Sequence, residues 1–212
     1  MAPSLLPAPE FRPVDLGLTP AEAAAGLGHV PGLAFFDSSG NLSRAQALSI
    51  IAACPTGELE GRIEDVTELR KQLQERMVRR PDCGFPLGAA CGWIGYEGDF
   101  RFGFYDDLLV YNHATRQWFE VGSLREHLEF TPLPALEIAG PWSSNLSREQ
   151  FVERVRRAQD YIASGDIYQM NLSQQFSANF LKAESLFPLY DRLRSVSPAP
   201  MAAYMACGDH EI

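Results

Sequence analysis

The apolar and polar positions of the chain alternate between strand-like and helix-like spacing. Compact apolar runs at 33–37 and 48–53 predict strands, and the runs 108–111 and 118–121 predict a hairpin joined through 112–117. Apolar residues recur at helical spacing over 66–77 and 151–162. The pattern therefore predicts strands with helices between them.

Helix starts are marked by residues that satisfy free backbone N–H groups. Thr19 before Pro20, with Glu22 three positions later, predicts a short helix that ends near Gly26 or Gly28. Asp65 predicts the start of a second helix, which should pack on a sheet through a stripe formed by Val66, Leu69, Leu73 and Met77.

A longer helix is predicted between a third capping residue and a glycine. Ser147 with Gln150 forms the capping box, and Gly165 is the expected stop. Its predicted buried stripe is Phe151, Val155, Ala158 and Ile162. Further along, 186–193 predicts a helix and 201–207 a strand.

Two segments leave alternatives open. The stretch 127–144 carries several prolines and little periodicity, and is either a linker or a connecting strand. Over 168–175, apolar and polar residues alternate, which predicts a strand whose polar face carries Gln169, Asn171, Ser173 and Gln175. Because buried amides need partners, this face is either a solvated edge or a polar network lining a cavity.

Composition narrows the class of protein. The chain has 212 residues and a net charge of -9, which argues against a nucleic-acid partner because such binding relies on clustered basic residues. No segment has the roughly 20 apolar residues of a membrane helix, and no secretory signal precedes the first element. The four cysteines are widely spaced and predict reduced thiols. These features predict a soluble, cytoplasmic protein.

Motifs for catalysis or metal binding are absent from the sequence. The four histidines, at positions 29, 113, 127 and 210, are isolated, so each is predicted to be a surface or satisfied side chain. There is no G-x-S-x-G elbow. The glycine-rich run at 88–103 lacks a phosphate-loop ending, and its glycines are predicted to allow close approach of another backbone. No catalytic residue and no metal ligand are therefore assigned.

Longer segments resemble one enzyme family. ASGDIYQMNLSQQF at 163–176, and the helix SREQFVERVRRAQDYIASG before it, resemble anthranilate synthase component I and aminodeoxychorismate synthase component I, which are chorismate-binding enzymes. SPAPMAAYMACGD at 197–209 and GWIGYEGDF at 92–100 are similar to further segments of that family. The resemblance is strong from about Ser147 onward.

The resemblance implies an α+β fold with largely antiparallel, β-sandwich-like sheets and flanking helices. It implies an N-terminal domain over 1–140 and the start of a chorismate-binding catalytic domain over 141–212. It also implies a truncated version of the family fold, because the family's catalytic and metal-binding residues correspond to positions beyond Ile212. The fragment alone is expected to be inactive.

The family's N-terminal region holds a tryptophan pocket, and the resemblance carries it onto this chain. Ser38, at the end of LAFFDS, takes the place of the serine that meets the amino-acid end of the ligand. The remaining implied wall consists of Ala47, Leu48, Ser49, Ile50, Pro200, Met201 and Ala202. The segment 47–50 departs from the family, since it lacks the arginine and the aromatic residue usual there.

The implied activity is that of aminodeoxychorismate synthase component I, which converts chorismate and ammonia to 4-amino-4-deoxychorismate on the way to 4-aminobenzoate and folate. The family uses Mg²⁺, and a glutamine amidotransferase subunit (component II) supplies the ammonia. Anthranilate synthase component I, of tryptophan biosynthesis, shares the same motifs and is the alternative. A stand-alone tryptophan-binding regulatory module is the alternative that is not an enzyme.

Overall fold

The structure is a computed structural model that describes residues 5–38, 47–78, 82–130, 132, 137–182, 185–208 and 210–212. The helices in these residues are α1 (Pro20–Gly26), α2 (Val66–Glu75), α3 (Arg148–Ser164) and α4 (Phe187–Val196). The strands are β1 (Phe11–Val14), β2 (Ala34–Asp37), β3 (Leu48–Ala52), β4 (Gly57–Arg62), β5 (Ala89–Ile94), β6 (Asp99–Tyr105), β7 (Leu108–Asn112), β8 (Gln117–Val121), β9 (Glu137–Ser144), β10 (Phe176–Lys182), β11 (Ala202–Cys207) and β12 (His210–Glu211). The chain forms two compact units, Met1–Pro134 with Ser185–Ile212, and Ala135–Glu184.

Seven strands of the first unit form one sheet in the order β1–β8–β7–β3–β2–β11–β12, with antiparallel neighbours. The predicted hairpin is confirmed, because β7 and β8 pair from Leu108 opposite Val121 to Asn112 opposite Gln117. The predicted strands at 33–37, 48–53 and 201–207 are also confirmed as β2, β3 and β11. Pairing of Ala202 with Asp37 brings distant parts of the sequence together.

One face of this sheet is covered by helices α1 and α4. Phe35 of β2 packs against Phe187 and Tyr190 of α4, with ring centroids 6.3 Å and 5.9 Å away. The alanines of α1 at 21, 23 and 24 belong to the same buried cluster. Full burial of a side chain such as Phe35 contributes about 1.5–3 kcal/mol, so this layer anchors both helices.

The opposite face carries the alternate residues of the same strands. Ala34, Ala52 and Val110 form a buried cluster there with Cys91 of β5 and Tyr105 of β6. These two strands belong to a second, three-stranded sheet in the order β4–β6–β5. Two antiparallel sheets thus share one apolar layer while helices cover the other face, which confirms the predicted α+β class.

Helix α2 packs on the second sheet through a single residue of its predicted stripe. Leu69 is buried with Phe100 and Phe104 of β6, which confirms the predicted contact with a sheet. Val66, Leu73 and Met77 are instead exposed, so the prediction of a continuous apolar face was wrong. Helix α2 ends at Glu75, so Met77 lies beyond it, and of the four stripe positions only Leu69 belongs to the cluster with the phenylalanines.

The glycine-rich segment forms the β5–β6 hairpin, and the prediction of close backbone approach is confirmed at Gly92. A Cβ atom at this position would collide with the carbonyl oxygen of Arg101 and would lie 2.7 Å from Cα of Phe102. Glycine is therefore required on β5 because the neighbouring strand occupies the space of a side chain.

The second unit contains β9, α3 and β10. β9 and β10 pair antiparallel, with Phe176 opposite Ser144 and Lys182 opposite Glu137. The predicted capping box of α3 is present, since Ser147 Oγ accepts from the backbone of Gln150, and Gly165 ends the helix with a φ of 83°. The structure favours the connecting strand over the linker for part of 127–144, because β9 lies there.

Two predictions in this unit were wrong. The stripe of α3 is not buried, since no residue of the helix is. Residues 168–175 form no regular strand, and Tyr168 is 94% exposed. At the end of this segment, Gln174 Nε2 donates to Ser144 Oγ at 2.7 Å and Gln175 N donates to Asn145 Oδ1 at 3.0 Å. Regular pairing begins at Phe176.

No helix in the described part of the chain combines the length and the apolar character needed to cross a membrane. Residues 39–46, between β2 and β3, lie outside the described residues, as do 131 and 133–136 within the stretch 127–144. The predicted domain boundary at residue 140 stays a prediction.

Candidate functional site: a buried polar cluster at the end of β2

The predicted pocket residues lie in three adjacent strands of the large sheet or within two residues of their ends. Ser38 directly follows β2, Leu48, Ser49 and Ile50 lie in β3, and Ala202 begins β11. β2 lies between the other two strands. The fold therefore brings the two sequence regions of the predicted pocket together at one end of β2.

The sheet also divides this set between its two faces. Leu48 and Ile50 pack into the apolar layer shared with the three-stranded sheet, whereas Ser49 bonds to Asp37 and His113. Pro200 and Met201 precede β11 and are exposed, with Met201 80% exposed. The predicted wall is thus not one continuous surface among the described residues, and its assignment as a tryptophan pocket stays a prediction.

Ser38 has its hydroxyl proton engaged within the fold. Its Oγ donates to the carbonyl oxygen of Leu48 at 2.8 Å, and its backbone N–H donates to Ser49 Oγ at 3.3 Å. A hydroxyl whose proton is donated still has lone pairs that accept. The Ser38 hydroxyl can therefore accept a further hydrogen bond, while its own proton is already donated within the fold.

Asp37, the residue before Ser38, contributes a buried carboxylate to the cluster. Its carboxylate is fully buried and lies 2.7 Å from Nε of Arg194 in α4. Tyr190 donates its hydroxyl to the same carboxylate oxygen at 3.4 Å, and Ser49 Oγ donates to the other at 3.2 Å. A buried carboxylate is tolerated when it is paired and hydrogen-bonded, and Asp37 meets both conditions.

The neighbours of Asp37 show the effect of this charge. Burial lowers the pKa of Arg194, but its hydrogen bond to Asp37 and the charge of Asp37 outweigh burial, so the pKa is raised. Burial and the same negative charge raise the pKa of Tyr190 well above its usual range. Arg194 therefore stays charged and Tyr190 stays protonated at neutral pH.

His113 extends the cluster and was not identified as a site residue from the sequence. Its Nε2 lies 2.8 Å from Ser49 Oγ, and its ring stands edge-on to Tyr111, with centroids 4.9 Å apart. Burial is the main reason that the pKa of His113 is lowered, with Asp37 opposing and Arg194 adding to the effect. The pairing of β3 with β7, in which Ser49 lies opposite Tyr111, brings His113 near Ser49. The apolar and polar pattern of the sequence does not predict this register.

Metal ligands are not grouped in the described residues: no set of three or more His, Cys, Asp or Glu side chains there is arranged to hold an ion. The polar cluster instead combines a paired carboxylate, two serine hydroxyls and an imidazole. These groups take one another and Arg194 as partners, which accounts for their burial within the sheet.

Comparison with known proteins identifies the family. Residues 44–212 match the model of chorismate binding enzymes, and the chain belongs to this family. The resemblance found in the sequence is thereby confirmed.

Curated relatives fall into two groups. Over 177 residues the chain is 28% identical to aminodeoxychorismate synthase component 1 of Escherichia coli, which covers 67% of this chain and 37% of that protein. It is 28% identical over 193 residues to anthranilate synthase component 1 of Streptomyces coelicolor, covering 68% and 37%. Over 135 residues it is 30% identical to aminodeoxychorismate synthase component 1 of Bacillus subtilis, covering 54% and 28%. The alignments with the first two thus span 37% of each relative's length.

Proposed function

We propose that the chain is part of component I of an aminodeoxychorismate synthase. The family match over 44–212 carries the proposal, and the names of the Escherichia coli and Bacillus subtilis relatives support it. In the proposed reaction the bond from C4 of chorismate to its hydroxyl breaks, a bond from C4 to the nitrogen of ammonia forms, and the hydroxyl leaves as water with a proton from the ammonia. The product is 4-amino-4-deoxychorismate, a precursor of 4-aminobenzoate and folate.

The proposed enzyme requires two groups from outside the described residues. Mg²⁺ would neutralise the carboxylate of chorismate, and a glutamine amidotransferase subunit would supply ammonia. The "component 1" in the relatives' names supports a partner component. No catalytic residue is assigned within this chain, so the proposal gives it a structural and binding role.

Anthranilate synthase component I is the second candidate, favoured by the match to the Streptomyces coelicolor protein over 193 residues. The two candidates differ in their product, because anthranilate formation eliminates pyruvate whereas aminodeoxychorismate formation retains that carbon group.

Product identification tests both candidates. The complete protein that contains this chain is incubated with chorismate, Mg²⁺ and ammonium, and the products are separated by liquid chromatography with mass detection. We expect 4-amino-4-deoxychorismate without pyruvate. Anthranilate with an equal amount of pyruvate would establish anthranilate synthase component I instead. Unchanged chorismate in the presence of Mg²⁺ and ammonium would overturn both candidates.

We also propose that the cluster around Ser38 binds the amino-acid end of tryptophan. The supporting observation is that the Ser38 hydroxyl donates its proton to the carbonyl oxygen of Leu48 at 2.8 Å, which leaves its lone pairs to accept from an ammonium group. Calorimetry with L-tryptophan tests this on the chain itself, with Ser38→Ala as the variant that removes the acceptor. Absence of heat at millimolar tryptophan would overturn the pocket, and with it the alternative of a stand-alone regulatory module.

A further inference from the structure

The hydrogen-bond capacity of Ser49 determines which nitrogen of His113 carries a proton. A serine hydroxyl has one proton and two acceptor positions. Ser49 Oγ has three partners: the backbone N–H of Ser38 at 3.3 Å, the carboxylate of Asp37 at 3.2 Å and Nε2 of His113 at 2.8 Å. The backbone N–H of Ser38 can only donate, and the ionised carboxylate of Asp37 can only accept.

These constraints leave one arrangement that satisfies all three partners. The single proton of Ser49 goes to the carboxylate of Asp37, because a bond to an ionised acceptor is stronger than one to a neutral imidazole. The remaining acceptor position of Ser49 Oγ then receives a proton from His113. Neutral His113 is therefore assigned as the Nε2–H tautomer, with Nδ1 unprotonated.

We propose that His113 is a positioning residue of the Ser38 site, acting through Ser49. Its Nε2–H fixes the Ser49 hydroxyl in the orientation that accepts the Ser38 amide and donates to Asp37. Ser38 is thereby held with its own Oγ lone pairs available to a ligand's ammonium group. This inference rests on the proposed amino-acid pocket, and it names a residue that the family resemblance did not assign.

The charged and titratable groups around His113 come from two elements besides its own. Asp37 lies on β2, Arg194 and Tyr190 lie on α4, and Tyr111 packs edge-on against the imidazole. Asp37 is already paired with Arg194 at 2.7 Å, so the pair offers little net charge to offset an imidazolium. Protonation of Nδ1 therefore adds a positive charge near the position of the ligand's ammonium group.

Nuclear magnetic resonance of the imidazole nitrogens tests the first step without any ligand. The His113 signals are assigned by their loss in His113→Gln. We expect the Nε2–H tautomer in the wild-type chain and a change in the tautomer balance in Ser49→Ala, which removes the acceptor. The Nδ1–H tautomer in the wild type, or signals that Ser49→Ala leaves unchanged, would overturn the assignment.

Tryptophan calorimetry tests the positioning role with a matched pair of variants. His113→Leu removes the donor, whereas His113→Gln offers an amide N–H at a similar reach and does not titrate. Because a hydrogen bond contributes about 0.5–1.5 kcal/mol, we expect His113→Leu to weaken binding about threefold to tenfold and His113→Gln to restore most of the loss.

The pH profile distinguishes positioning from a general loss of structure. Wild-type affinity should fall as the pH drops through the pKa of His113, which burial lowers from the ordinary histidine value of about 6.5, and the fall should be absent in His113→Gln. Equal affinity and equal pH dependence in all three proteins would overturn the proposal. If the wild type binds no tryptophan, the pocket and this role both fall, and the resonance experiment then shows whether the bond from His113 to Ser49 exists regardless.

Discussion

Glu120 illustrates how a single charged residue is kept inside the large sheet. Its side chain has no exposed surface, yet its carboxylate accepts from Nη2 of Arg12 at 2.9 Å and from the backbone N–H of Arg125 at 3.0 Å. The side chain of Arg125 also contacts this carboxylate, with its Nε 3.3 Å from Oε2 of Glu120. The carboxylate of Glu120 therefore stabilises the fold mainly by accepting hydrogen bonds from these donors, and its charge contributes less.

Replacing Glu120 by Ala should therefore lower the free energy of unfolding by about 1–3 kcal/mol, because the N–H of Arg125 loses its partner inside the protein. Urea denaturation followed by circular dichroism measures the change. Glu126→Ala is the matched control on the exposed surface, where we expect a change within about 0.5 kcal/mol. Similar midpoints for both variants would contradict the structural role assigned to Glu120.

Cys91 provides a second test at the scale of single residues. It is buried in the layer between the two sheets, and burial, with a smaller contribution from Cys207, raises the pKa of its thiol to about 12. Since only the thiolate reacts with alkylating agents, Cys91 should remain unmodified by iodoacetamide at pH 8 in the folded chain. Peptide mass mapping should find it modified after unfolding in urea.

The partly buried Cys83 is the internal reference in the same experiment. Its Sγ donates to the carbonyl oxygen of Phe85 at the surface of the same cluster. Modification of Cys91 at the rate of Cys83 in the folded chain would mean that the layer between the sheets opens easily. The structure would then have the wrong packing at β5.

At the scale of elements, the β5–β6 hairpin depends on Gly92. We expect Gly92→Ala to prevent stable folding or to reduce the yield of folded protein severely, because its Cβ would meet backbone atoms that cannot move independently. Gly57→Ala on β4 is the matched control, since its Cβ would lie 3.2 Å from the flexible end of Arg76 and in ordinary contact with the Phe104 ring, at 3.9 Å. Thermal melting monitors both, and equal melting temperatures would refute the close approach.

Elements with local signals could be predicted from the sequence. The helix starts at Thr19 and Ser147 depend on side chains three positions apart, and the capping bonds are present at both. Hairpin β7–β8 was found because its strands are joined by a short loop. In each case the residues that make the stabilising contacts are close in sequence, so the sequence pattern predicts the element.

Features that depend on distant contacts could not be predicted in the same way. Residues 168–175 alternate as a strand does, but alternation does not provide a partner for the backbone. The cluster of Asp37, Ser49, His113 and Arg194 joins residues up to 157 positions apart. The predicted site contained Ser38 and Ser49 but lacked His113 and Arg194, because their proximity follows from strand register and from the docking of α4.

At the scale of the whole molecule, the two compact units differ in what they bury. The first unit contains all three apolar clusters of the described residues. In the second unit, Leu146 is the only described side chain that is buried. Large apolar residues there, such as Trp142, Phe176 and Leu181, are more than half exposed. Stability in this chain should therefore be distributed unevenly along the sequence.

Hydrogen exchange should detect this difference as lower protection in α3 than in β7. Helix α3 has 17 residues and good caps, but isolated helices of about 12–15 residues are marginal in water, and most helical stability in proteins comes from packing an apolar face. β7 lies inside the large sheet with Leu108, Leu109 and Val110 fully buried, so its amides open only with the core. We expect protection factors on the order of a hundredfold or more lower in α3, measured by mass spectrometry at neutral pH. Equal protection in both elements would mean that the apolar stripe of α3 is covered in solution, contrary to the exposure of Ile162 in the structure.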